Sequence, residues 1–104
     1  MQLLCSTGTF SRYPEYPDYR NVLKYASQLE VDGFELLFYP NWYPQLARIT
    51  TDLQRSGLHF PVIHAEKDIG TALGSSQRER REQAVQWLAL NCQFAQSLGA
   101  TIIV

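Results

Sequence analysis

The chain has almost no excess of charge of either sign: nine lysines and arginines face ten aspartates and glutamates, a net charge of −1 over 104 residues. Such a balance gives no general attraction to nucleic acid or to an anionic membrane surface. Only two cysteines occur, Cys5 and Cys92, too few for a disulfide scaffold. Neither has a histidine near it in sequence, and both read as small apolar core residues. No apolar run approaches the roughly 20 residues that cross a bilayer. The opening Met1-Gln2-Leu3-Leu4-Cys5-Ser6 has neither a basic n-region nor a long apolar h-region, so no secretory signal is expected and a reducing, cytoplasmic setting is. No Gly-x-Gly-x-x-Gly follows the first apolar run, which removes the usual dinucleotide fingerprint. Gly-x-Ser-x-Gly is missing too, so Ser6 is no nucleophile elbow. What is present is a composition 45% hydrophobic and 18% charged, which excludes disorder.

Strand-like and helix-like segments alternate along the chain. Residues 3–7 form an apolar-to-polar run ending at Gly8, the first expected strand. Asp18 can cap a helix whose apolar positions, Tyr19, Val22, Leu23, Ala26 and Leu29, share one face, with Gly33 in the left-handed stop position. Residues 34–39 are apolar on both parities apart from Glu35, as in a strand covered on both faces. After a turn at Pro40-Asn41, a helix is expected over 44–56, with Leu46, Ile49 and Leu53 inward and Gly57 as its stop. A third strand is expected over 58–64, although Pro61 cannot donate to a ladder. Residues 65–75 read as a long polar loop, long enough to act as a lid. Ser76 and Glu79 then match a capping box for a helix running to about Leu98, with Ala84, Val85, Leu88, Cys92 and Ala95 as its apolar stripe. Gly99 ends it, and residues 100–104 make a fourth strand.

This alternation implies a parallel sheet with right-handed crossovers. The two candidates are a doubly wound sheet and part of a (β/α)8 barrel. A full barrel needs about 250 residues, so four strands and three helices would be its N-terminal half. The expectation is an α/β fold, strands in order 1-2-3-4 with the helices outside, residues 1–104 being a single partial barrel domain and a fragment of a longer protein.

Three segments carry a family resemblance: Asp32-Gly33-Phe34-Glu35-Leu36, Val62-Ile63-His64-Ala65-Glu66, and Leu98-Gly99-Ala100-Thr101-Ile102-Ile103-Val104. In that order and spacing the chain resembles the xylose isomerase-like barrel superfamily, which includes sugar and sugar-phosphate isomerases and epimerases and endonuclease IV-type repair enzymes. The resemblance implies a divalent metal (Zn, Mn, Mg or Co) at the C-terminal mouth of the barrel. It also implies proton transfer next to the carbonyl of a sugar or sugar phosphate or, in the repair branch, phosphodiester hydrolysis. The family's main carboxylate and histidine ligands come from later strands, so the catalytic groups are expected beyond Val104. The alternatives are an endonuclease IV-like enzyme, against which the balanced charge argues, and a half-barrel that self-associates as a homodimer without chemistry.

Within this frame His64, at the C-terminal end of the third strand, is placed where barrel sites are built. With simple alternation it shares a face with Phe60 and Val62; His59 lies on the opposite face and reads as structural. Its imidazole could ligate a metal or contact substrate, and the resemblance implies the metal role for repair-type members. Glu35, a lone charge in an apolar strand, must be paired, hydrogen-bonded or protonated if buried. It either supports the site or makes a structural ion pair. Glu66 reads as a loop charge. Eight of the thirteen aromatics fall in or beside the first two strand-to-helix connections. Of these, Tyr13, Tyr39, Trp42 and Tyr43 are candidate substrate contacts, since aromatic faces suit the C–H face of a sugar; the alternative is that they plug the barrel top. Trp42 leads, because burial is hardest on a turn. Arg78, Arg80 and Arg81 could dock an anion, but interleaved with Glu79 and Glu82 they read as a solvated helix face.

Overall fold

The structure, a computed structural model, describes residues 1–12 and 18–104. Four short strands form one parallel sheet in the order of the sequence. Strand β1 (Leu4–Ser6) lies beside β2 (Gly33–Leu37), with Leu4 against Gly33 and Ser6 against Glu35. Strand β3 (Val62–His64) continues the sheet, Glu35 against Val62 and Leu37 against His64, and β4 (Ile102–Ile103) flanks it. The crossovers contain α1 (Tyr19–Tyr25), α2 (Leu46–Arg55), α3 (Asp68–Leu73) and α4 (Arg78–Ser97). No helix among the described residues is long and apolar enough to cross a membrane.

Each helix is positioned by local chemistry. The Asp18 carboxylate accepts from the Arg20 amide and caps α1. Gly57 and Gly99, at φ 74° and 76°, supply the left-handed residues that stop α2 and α4. Buried side chains of α1 (Tyr19, Val22), α2 (Ile49, Leu53) and α4 (Phe94, Ala95) meet Phe34, Leu36 and Ile63 of the sheet, and Phe38 just after β2, in one core. Burying each large apolar side chain contributes about 1.5–3 kcal/mol, so this face holds the fold together. The opposite face, carrying Leu4, Glu35, Leu37, Val62, His64 and Ile102, contributes no member to that core.

Several expectations need correction. Gly33 is not a helix stop but the first residue of β2. A side chain is excluded there because its Cβ would lie 2.9 Å from His59 Cδ2 and 3.0 Å from the His59 oxygen. Phe60 does not share a face with Val62 and His64. It is buried in the core with Ile63, three residues on, because Pro61 interrupts the alternation. The ladder starts only at Val62, and the Pro61 carbonyl instead accepts from the amides of Thr101 and Ile102 at 3.0 and 3.3 Å. Residues 65–75 are no open loop: they contain α3, whose Ile69 and Ala72 are buried. The capping box does not form; α4 starts at Arg78 after Gln77, whose amide is held by Ser75 Oγ. The buried positions of α4 are Ala84, Asn91, Phe94 and Ala95, whereas Val85 and Cys92 are exposed. Leu29 is exposed as well, since α1 tightens into a 3₁₀ turn over Ala26–Gln28.

Candidate functional site

In a parallel sheet every strand delivers its C-terminal end to the same edge, and the loops that follow gather there. At that edge a cleft of about 380 Å³ opens between the segments following β1, β2 and β3. Gly8, Leu37 and Phe38 line its base, and Arg12, Tyr39, Pro40, His64, Ala65 and Lys67 complete the wall. The entry from β1 is pinned: Thr7 Oγ1 accepts from the Leu37 amide at 3.0 Å, and the Thr7 carbonyl accepts from the Ser11 amide at 2.8 Å. A Cβ on Gly8 would stand 2.8 Å from Leu37 Cδ2, so the glycine lets this turn sit directly on β2.

His64 lies in the cleft, on the same sheet face as Leu37 and Glu35. Its Nδ1 is 2.9 Å from the Ala65 carbonyl oxygen. A carbonyl only accepts, so Nδ1 carries the proton here, and in the neutral form of the ring it is Nε2 that offers a lone pair. Glu35 sits one step deeper, beside Val62 and diagonal to His64, roughly 7–8 Å away by strand geometry. It is half-buried, and its carboxylate has no hydrogen-bond or ion-pair partner among the described residues. It does not line the cleft.

The aromatic candidates separate. Tyr39 lines the cleft, and its hydroxyl is 3.0 Å from Ser11 Oγ, a side chain with no exposed surface. Trp42 corrects the expectation that burial is hardest at its turn. It is 1% exposed, packed among Tyr19, Phe38, Tyr39 and Phe94, because Pro40–Gln45 is a 3₁₀ helix that rolls the indole under the loop. Its Nε1 hydrogen has no partner among the described residues. Tyr43 also lies away from the cleft. Its ring packs on Phe38 and stacks on Trp87, and its hydroxyl accepts from Asn91 Nδ2 at 2.8 Å and donates to Glu66 Oε1 at 3.4 Å. Burial above all pushes the Tyr43 phenol up to about 12; the Asn91 bond opposes the shift and the Glu66 charge adds to it. Tyr13 lies outside the described residues, as does Tyr16.

Glu66 is not a loop charge. It is 3% exposed; its amide donates to Asn91 Oδ1, and its Oε2 accepts from the Asp68 amide at 2.9 Å. Together Glu66, Tyr43 and Asn91 lock the β3–α3 turn to the segment after β2 and to α4. The only sequence hint was an asparagine on the stripe of α4, three residues before Phe94. At the start of α4, Arg78 pairs with Glu82 at 2.6 Å and Arg81 Nη1 donates to the Ser75 carbonyl, on an exposed face. Arg12 and Lys67 are the site residues that sequence reasoning passed over. Both follow strand ends of a parallel sheet, and that is the signal that marks them.

The side chains present do not fit a divalent metal by themselves. No group of three histidines, cysteines, aspartates or glutamates comes together among the described residues, and the cleft pairs one imidazole with two cations. A catalytic zinc is held by three protein ligands, and a magnesium ion by at least one or two carboxylates. The arrangement suits binding instead: an imidazole acceptor, an aromatic ring and two flexible cations around an apolar base. No protein-family model matches the chain, and comparison with curated proteins and with solved structures likewise finds no match.

Proposed function

We propose that residues 1–104 are the first four strands of a (β/α)8 barrel of the sugar or sugar-phosphate isomerase/epimerase type, and that they bind substrate rather than transfer its proton. The observation that carries this reading is the cleft at the C-terminal strand ends, where His64 and Tyr39 stand together. The strand order 1-2-3-4 and the core confined to one sheet face support the barrel, because a doubly wound sheet packs helices on both faces. In this reading His64 Nε2 accepts from a sugar hydroxyl and the Tyr39 ring covers a C–H face. Glu35 supports the floor from below. Trp42 and Tyr43 hold the loop that presents Tyr39. The groups that move the proton next to the carbonyl, and the ligands of any divalent metal, belong to strands outside these residues.

Saturation-transfer difference NMR on the purified chain, with a panel of aldoses and ketoses, tests the reading. Transfer to the sugar C–H protons that is lost in Tyr39→Ala and His64→Ala is the expected result. Transfer that survives both substitutions would place the ligand elsewhere.

A further inference from the structure

Charge is distributed unevenly among the clefts of the molecule. Four other clefts contain an arginine or lysine, and each also contains an aspartate or glutamate. Among the described residues, the cleft at the strand ends contains Arg12 and Lys67 and no carboxylate. Most cations elsewhere are engaged: Arg20 with Asp18, Arg48 with Asp52, Arg78 with Glu82, and Lys24 over the ring of Tyr25. Arg12 and Lys67 have no acidic partner among the described residues. Of the two carboxylates that flank Lys67 in sequence, Glu66 is engaged by Tyr43 and the Asp68 amide, and neither Glu66 nor Asp68 lines this cleft. Two cations without an ion-pair partner among the described residues, one after β1 and one after β3, thus line the same cleft as His64 and the end of β2.

We propose that the ligand of this cleft is phosphorylated, its phosphate held between Arg12 and Lys67. The inference rests on the sugar-binding reading above and narrows it from sugars to sugar phosphates. A guanidinium presents paired donors to phosphate oxygens, and a lysine adds a mobile point charge. The His64 Nε2 is left for a hydroxyl of the sugar. The phosphate therefore lies at the outer rim and the sugar carbons lie over Leu37 and Phe38. A neutral sugar leaves both cations unused.

Isothermal titration of the chain with a hexose, the same hexose carrying a 6-phosphate, and inorganic phosphate tests this. The expected result is that the hexose phosphate binds at least about tenfold more tightly than the hexose, as one charge-assisted contact supplies. Arg12→Gln and Lys67→Gln should each remove most of that preference, and raised salt should erode it. Both side chains are on exposed residues, so both variants should keep the far-ultraviolet dichroism of the parent. Equal affinity for the hexose and its phosphate would overturn the phosphate clamp and leave the sugar reading standing. Binding of inorganic phosphate as tight as that of the hexose phosphate would keep the clamp and overturn the sugar reading. An unchanged preference in both glutamine variants would also overturn the clamp, whereas a short single-stranded oligonucleotide that displaces the hexose phosphate at lower concentration would overturn the sugar phosphate as the ligand.

Discussion

The two faces of the sheet are built from the same kinds of residue and come to opposite ends. On the helix side, Phe34 and Leu36 of β2 and Phe38 just after it are at most 3% exposed, sealed by three helices. On the other side Leu4 and Ile102 are 36% and 55% exposed, and the lone carboxylate of β2 stands on the same face without a partner among the described residues. One face is a completed core. The other is apolar enough to want a cover and polar enough, through Glu35 and His64, to do more than be covered. Stability should therefore follow the first face and association and ligand binding the second.

The largest effect separates the faces directly. Phe38→Ala should cost about 3–5 kcal/mol in denaturant unfolding, the usual range for emptying an aromatic site in a sealed core. Leu4→Ala, on the open face, should stay within about 1 kcal/mol. Comparable losses at the two positions would mean that the open face is covered.

Next in size is the network that ties the β3–α3 turn to α4. Tyr43→Phe leaves Asn91 Nδ2 and Glu66 each short of a partner and should cost about 1–3 kcal/mol. It should also alter the alkaline limb of stability. The folded protein holds the Tyr43 proton to about pH 12, against an ordinary phenol value of 10.0. Between those values the folded state binds the proton more tightly than the unfolded chain, so stability declines as pH rises through the window. Tyr19, also raised by burial and by its bond to Asp52, contributes in the same direction. Unfolding midpoints from pH 9 to pH 12 should fall less steeply in Tyr43→Phe than in the parent.

The smallest effect on folding should come with the clearest effect on assembly. Apolar strand edges that carry unpaired backbone groups are templates for pairing. The 104-residue chain should therefore associate as concentration rises in sedimentation. Ile102→Lys should shift it toward monomer while leaving the unfolding midpoint nearly unchanged. A monomer at all concentrations would remove the case for self-association.

Much of this contrast could be read before any coordinates, and the misses have physical causes. Gly57 and Gly99 end helices because only glycine takes the left-handed turn cheaply, and Asp18 caps because its carboxylate meets the next amides; both are local effects that three or four residues encode. The parallel sheet follows from the alternation of strands and helices, and the order 1-2-3-4 is the one that sequential βα units of a barrel would have. Phe60 was misassigned because Pro61 breaks the two-residue period, which pattern reading assumes to be unbroken. Gly33 was misread because its reason is the approach of His59, 26 positions away in sequence. The buried face of α4 was misjudged because Asn91 is chosen by partners on two other segments, and hydropathy ranks it below Cys92. Glu66 was misplaced for the same reason: a carboxylate is buried only when its donors come to it, and Tyr43 and Asn91 reach it from far along the chain. At the site, His64 and Tyr39 were legible from strand ends. Arg12 and Lys67 were not singled out, since a cation in a loop has no pattern until the loops are brought side by side.

Backbone chemical-shift mapping during titration with a hexose 6-phosphate tests directly whether ligand binds at the C-terminal strand ends. Shifts should concentrate at Gly8, Arg12, Leu37, Tyr39, His64, Ala65 and Lys67, with the amides of α1, α2 and α4 quiet. Shifts centred instead on the helix-side cleft of Arg20, Gln45 and Arg48 would contradict it.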